Sequence, residues 1–196
     1  MLGWFRKKRA PHPLQRELRG LLSCVLAFHR AAFEDHVALG IENPTKRLSG
    51  LRSYVEGCGE IDPFSAHVID TPLGALDEPL FVEALYRIET AGSIAWALNL
   101  IDGIPHPSER VDRSALIALF PLQGDSNAAE RAIRRSNTDL EAELSRWSTI
   151  TATAREARDR EHNESTALGF SRSYERTRGL LWLVGDSSYV EDMVPP

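Results

Sequence analysis

Ile88-Glu89-Thr90-Ala91-Gly92-Ser93-Ile94-Ala95-Trp96-Ala97-Leu98-Asn99-Leu100 is the stretch whose reading decides the fold. From Ala91 onward nearly every position is apolar or small, and a helix that is apolar all round has no face to give to water. The start of this element is marked upstream by Asp77-Glu78-Pro79, a capping carboxylate followed by an acid and a proline. Leu80, Ala84, Leu85, Ile88, Ala91, Ala95 and Leu98 then recur at helical spacing. Gly103, Pro105 and Pro107 stop it. The expectation is a buried central helix over about 80–101.

The remaining segments read as helices built around it. Leu14, Leu18, Leu21, Val25, Ala32 and Val37 mark an amphipathic helix over about 14–38. Asn43-Pro44 opens a second helix, which ends at Gly57-Cys58-Gly59, and Asp62-Pro63 opens a short one through about Ile69. Another short helix is expected over about 110–119. A long one over about 127–161 has Ile133, Leu140, Leu144, Trp147 and Ile150 on one side. A last one over about 171–184 carries Tyr174, Leu180, Leu181 and Trp182 and stops at Gly185. No alternating run of β-branched residues and no fixed-period repeat is present. The fold class is therefore all-α, a helical bundle of about six helices, with residues 1–12 a flexible basic arm and 13–196 a single domain.

Composition supports that class and narrows function. A chain of 196 residues buries roughly 70% of its unfolded surface and needs no cross-links. Its two cysteines, Cys24 and Cys58, form no disulfide framework or CxxC pair, so a reducing cytoplasm is the expected setting. The longest nearly apolar run, Leu21 to Phe28, falls well short of the ~20 residues that span a bilayer. Arg6–Arg9 ahead of it imitate a secretory signal, but Arg16, Glu17 and Arg19 intervene and His29-Arg30 follow where small residues belong. The first 20 residues carry six cations and one acid, which leaves −10 for the rest of a chain whose total is −5. Such an acidic body is not expected to bind nucleic acid. Trp4 and Phe5 followed by Arg6, Lys7, Lys8 and Arg9 are the one candidate for a membrane-surface anchor.

A search for reactive groups returns few. His29 and His36 share a helix face but lie about 10.5 Å apart along its axis, too far for one ion. Asp159-x-x-His162 has ligand spacing, but no second pair accompanies it, so neither a metal nor another cofactor is expected. No nucleophile elbow, Walker-A loop or Gly-x-Gly-x-x-Gly motif occurs. Trp147 and Trp182 fall on apolar faces and read as core. The candidate catalytic residues are Arg87, Glu89 and His106. Glu89 stands beside the driest part of the central helix, where a carboxylate is either paired or protonated. An arginine of another helix, such as Arg134 or Arg135, is its expected partner.

Tyr86-Arg87-Ile88-Glu89, Ala95-Trp96-Ala97-Leu98 and Ile104-Pro105-His106-Pro107 together resemble a bacterial family known as domain of unknown function 4272. Tyr174-Glu175-Arg176, Leu180 to Leu183 and Leu76-Asp77-Glu78 extend the resemblance, which runs in pieces over about 73–194. Three positions depart from it. Asn99 stands in place of a glycine, Thr177 of a histidine and Leu181 of an asparagine. The resemblance implies an all-helical fold and a bacterial, cytoplasmic origin, and it brings no activity with it.

The functional expectation is a non-enzymatic interaction or regulatory protein, of the kind an immunity protein represents, with another protein as partner. An enzyme with an unfamiliar site around Arg87, Glu89 and His106 is one alternative. A peripheral membrane protein anchored through residues 1–9 is the other.

Overall fold

Side-chain caps set most of the helix starts in the computed structural model, which describes residues 13–38, 43–58, 61–121 and 126–185. Asp62 accepts from the Ser65 amide, Asp77 from Leu80, Asp112 from Ala115, Ser136 from Asp139 and Asn163 from Thr166. Each of these bonds satisfies an amide that the first turn of a helix leaves without a partner. The described residues form eight helices and no strand: α1 (Pro13–Ala38), α2 (Pro44–Cys58), α3 (Pro63–Asp70), α4 (Glu78–Ala97), α5 (Arg113–Ala118), α6 (Ala128–Arg131), α7 (Asn137–Glu161) and α8 (Glu164–Val184). The all-α class stands. The basic arm expected at 1–12 lies outside the described residues.

α4 is the central helix. It packs against α1 on one side and α8 on the other, and α7 covers α8. Leu21, Val25 and Leu26 of α1, Ile88, Ile94 and Ala95 of α4, Trp147 of α7 and Leu180 of α8 share one core. Ala27, Ala31, Phe64, Val68 and Ala84 form a smaller cluster under α3. No helix among the described residues is long and apolar enough to cross a membrane.

Three boundaries differ from the sequence reading, each for a local physical reason. α4 ends at Ala97 rather than Ile101, because Asn99 turns into the left-handed region at φ 54°. The helix expected over 127–161 is broken at Ala132–Ser136. That segment runs along the end of α4, where the Ile133 amide donates to the Leu98 carbonyl and the Arg135 amide to that of Ala97. The Arg135 guanidinium adds a bond to the Trp96 carbonyl. The Ala97 and Leu98 carbonyls that the helix end would leave unsatisfied thus find donors in the break, and the Trp96 carbonyl, which already accepts from the Asn99 amide, gains a second. α8 begins at Glu164 rather than Ser171, capped by Asn163, directly after His162 has ended α7 in the left-handed conformation.

α4 and α8 approach closely enough to exclude a side chain. A Cβ on Gly179 would stand 3.1 Å from both the Ser93 Cβ and the Thr90 carbonyl oxygen. Two hydroxyls use that proximity: Thr90 Oγ1 donates to the Glu175 carboxylate at 2.7 Å and Ser93 Oγ to the Arg176 carbonyl at 2.9 Å. Replacing Gly179 by leucine gains up to ~1 kcal/mol of helix propensity but forces the two helices apart. We expect a net loss of ~1–3 kcal/mol, read as a lowered urea midpoint.

His29, half-buried on α1 beside Phe33, has a buried Nε2 with no partner. Burial pulls its pKa below the ordinary 6.5. The unfolded chain therefore takes up a proton below pH 6.5 that the folded chain resists, so stability falls as pH drops through this range. His29→Phe should flatten that slope. Denaturant midpoints of the two proteins should diverge from pH 6.5 downward in favour of the variant.

Candidate functional site

Glu89 lies on the face of α4 that meets α8 and is 2% exposed; Arg176 of α8 is 0% exposed. Arg176 Nε and Nη2 both donate to Glu89 Oε2, at 3.0 and 2.6 Å. Nη2 also donates to the Glu109 carbonyl at 2.7 Å, and Nη1 donates to the Pro105 carbonyl. Burial holds the Arg176 pKa below its ordinary value, while the Glu89 carboxylate acts in the opposite direction. One turn earlier on α8, Arg172 Nη1 donates to the carbonyls of Pro107 and Ser108, both at 3.1 Å. Two arginines at i and i+4 therefore pin the loop 104–111 against α4 and α8.

The expected pairing of Glu89 with an arginine of another helix is present, but that arginine is Arg176 rather than Arg134 or Arg135. Arg134 pairs with Glu17 of α1 at 2.6 Å, and Arg135 stacks on Trp96 and bonds its carbonyl. Arg172 and Arg176 share one face of the last helix, but which arginine meets Glu89 is set by register across the α4–α8 pair, which the sequence pattern does not report.

Arg87 points elsewhere. It lies two residues from Glu89, about 200° around the helix, and its guanidinium sits 4.2 Å from the Phe64 ring centre while Nη2 reaches Glu83 at 3.1 Å. Glu83 also receives Arg178, which pairs with Glu175 at 3.2 Å. Burial opposes the Arg178 charge, but Glu175 and Glu83 outweigh it and raise its pKa. His106 is exposed, with Nδ1 2.9 Å from Ser108 Oγ. The structure thus brings Glu89 to the loop that carries His106, through Arg176, and sends Arg87 to a different neighbourhood.

Among the described residues, no three His, Cys, Asp or Glu side chains gather as they would around a metal ion. Asp159 pairs with its neighbour Arg158. Cys24 is buried, and burial pushes its thiol up to about 12, which leaves it un-ionised and unreactive. The side chains of His36 and Cys58 lie outside the described residues, as does the segment carrying Trp4, Phe5, Arg6, Lys7, Lys8 and Arg9.

Two concavities flank the pair. One, of about 120 Å³, is bordered by Glu89, Tyr86 and the arginines 110, 113 and 172. The other is a groove of about 360 Å³ between the first half of α4 and α8, bordered by Val82, Tyr86, Phe170 and Tyr174.

The model of the family DUF4272, a domain of unknown function, matches residues 71–192. The chain belongs to DUF4272. No curated protein and no solved structure matches it. The DUF4272 region contains α4 to α8, hence both partners of the Glu89–Arg176 pair and the loop they hold. α1, which covers the opposite side of α4, lies before it. The positions that departed from the DUF4272 resemblance have local explanations. Asn99 is left-handed, a conformation that asparagine tolerates almost as glycine does, and its Nδ2 donates to the Ile133 carbonyl at 2.7 Å. Thr177 is buried and shares a 2.8 Å hydrogen bond with Thr151 of α7. Leu181 borders a hollow of about 240 Å³ between α7 and α8.

Removing one member of a buried pair leaves the other charge without compensation, at a cost of ~3–5 kcal/mol. Glu89→Gln should show a loss of that order in urea denaturation. The double variant Glu89→Met/Arg176→Met should regain most of it, because no charge then remains in the core. A Glu89→Gln midpoint equal to that of the native chain would show that the pair does not hold the fold.

Proposed function

We propose that this DUF4272 protein is a non-enzymatic interaction or regulatory module, of the kind an immunity protein exemplifies, which docks another protein in the groove between α4 and α8. The observation that carries this reading is the groove itself. Val82 is 42% exposed on its rim, and Tyr86, Phe170 and Tyr174 present three aromatic rings along it. Aromatic anchors set in a concavity are common at the centre of protein–protein contacts, and the charged residues that also border the groove, Glu83, Glu175 and Arg178, are paired with one another. Asp77 and Glu78 stand exposed beside Pro79 at one end of the groove. With the acidic character of the chain beyond its first 20 residues, they favour a partner whose apolar anchor is surrounded by basic residues. The buried thiol of Cys24 suits a reducing compartment, and we place the protein in the cytoplasm on that ground.

The enzyme alternative needs Arg87, Glu89 and His106 to share one concavity. Glu89 borders a cavity that neither of the other two lines, and its carboxylate is held by Arg176. The geometry therefore favours the docking reading.

The test is affinity capture from the source cells with the full chain and two surface variants. Val82→Glu places a charge on an exposed rim position and should leave the melting temperature unchanged while reducing recovery of the partner about tenfold, equivalent to ~1.4 kcal/mol. His106→Ala should recover the partner as the native chain does. Equal recovery by Val82→Glu would overturn the groove as the docking site.

A further inference from the structure

The smaller cavity holds charge that the fold does not neutralise. Arg110 comes from the loop before α5, Arg113 opens α5, and Arg172 lies on α8, so two stretches of the chain bring three arginines to the border of one space of about 120 Å³. The carboxylate at its edge is Glu89, and Arg176 already occupies one of its oxygens with two hydrogen bonds. Arg172 is only 8% exposed, and its Nη1 bonds Pro107 and Ser108 while Nη2 and Nε take no partner among the described residues. Arg113 has a buried Nε with no hydrogen-bond partner, and its guanidinium lies 5.2 Å from the Phe28 ring centre. Arg110 is exposed and forms no ion pair among the described residues. Burial, with Arg110 next and a smaller contribution from Arg172, holds the Arg113 pKa below its ordinary value. Bringing three cations together in a partly closed space is unfavourable unless an anion is to occupy it.

We propose that this cavity binds a small phosphate monoester, its phosphoryl oxygens facing Arg110, Arg113 and Arg172 and its organic body lying against Leu85, Ile88 and Leu168. The choice of phosphoryl over carboxylate rests on oxygen count. A carboxylate fills one bidentate guanidinium fork, whereas a phosphate dianion offers three terminal oxygens to three guanidiniums. The size of the ligand follows from the volume. The space of about 120 Å³ matches a phosphoryl group with a body of a few carbons, somewhat less than the ~150 Å³ that accepts benzene. The three leucine and isoleucine side chains give that body an apolar wall. The site is separate from the docking groove, although Tyr86 borders both. A ligand here therefore stands or falls independently of the partner protein.

Calorimetric titration of the full chain with ethyl phosphate, at about 0.15 M ionic strength so that diffuse charge effects are screened, tests the proposal. Saturable binding at one site per chain is expected. Arg110→Gln/Arg113→Gln should weaken it at least about tenfold. Leu168→Trp should abolish it by filling the cavity while leaving every charge in place. Arg146→Gln, on the exposed face of α7, should bind as the native chain does. Melting temperatures identify any variant that has lost its fold, and the remaining cavity variant then decides. Propionate is expected to bind at least about tenfold more weakly than ethyl phosphate. The proposal is overturned by absence of saturable binding, by undiminished binding in the folded cavity variants, or by propionate binding as tightly. Inorganic phosphate binding as tightly as ethyl phosphate would overturn the monoester assignment in favour of free phosphate.

Discussion

The Arg176 guanidinium, fully buried between α4, α8 and the loop 104–111, is the constraint to which the other elements are fitted. Taking one cation out of water costs several kcal/mol even after the protein relaxes. That cost is offset only when a counter-charge and hydrogen-bond acceptors stand in place together. Here Glu89 supplies the charge, and the carbonyls of Pro105 and Glu109 supply the remaining acceptors. The four hydrogen bonds come from one helix and one loop, so a shift of α4 by a single residue, or a different path for the loop, would break several at once. A pair of this kind adds little net stability over an apolar substitute. Its effect is to make one arrangement of α4, α8 and the loop far better than its near neighbours.

Small residues make that arrangement reachable. Gly179 lets α8 approach Thr90 and Ser93, and at that separation the two hydroxyls reach Glu175 and the Arg176 backbone. Gly92 does the same on another face of α4, where a Cβ would collide with Val111. The apolar and small composition of Ala91–Ala97 is thus a consequence of being contacted on all sides at short range. α1 is one of those contacts, although it lies before the family match. The core that α4 organises is therefore not contained within the family segment. Leu21, Val25 and Leu26 of α1 complete it.

The elements legible in the sequence were those governed by a single helix. The apolar run of α4, the Asp-Pro starts at Asp62 and Asp77 and the Gly185 stop each report local chemistry, and the structure keeps them. What escaped was set between helices. Ala132–Ser136 has a composition compatible with helix, and it is extended because α4 needs donors for its last carbonyls. Ser136 capping Asp139 was the readable trace of that break. For Glu89, burial and the need for an arginine were legible, but the choice of Arg176 over Arg134 and Arg135 depends on register across a helix pair, which periodicity does not encode. Arg110 and Arg113 are three residues apart, but Arg172 lies on α8 about sixty residues on, so no linear motif could have joined it to them.

Arg176 and Arg172 lie one turn apart on α8, and the contrast between them separates support from recognition. Arg176 has every strong interaction answered inside the protein. Arg172 gives one nitrogen to the loop and itself borders a space that Arg110 and Arg113 also border. Folding alone would favour acidic side chains there, as it places Glu83 and Glu175 around Arg178. The chain has acids in excess, with 28 Asp and Glu against 23 Lys and Arg, yet none but Glu89 borders this cavity. A net negative protein repels a dianion at long range, and salt screens that repulsion beyond about 8 Å. Recognition in such a cavity must therefore come from close-range guanidinium geometry rather than from electrostatic steering. That condition selects for shape and oxygen count, which are the properties the cavity presents.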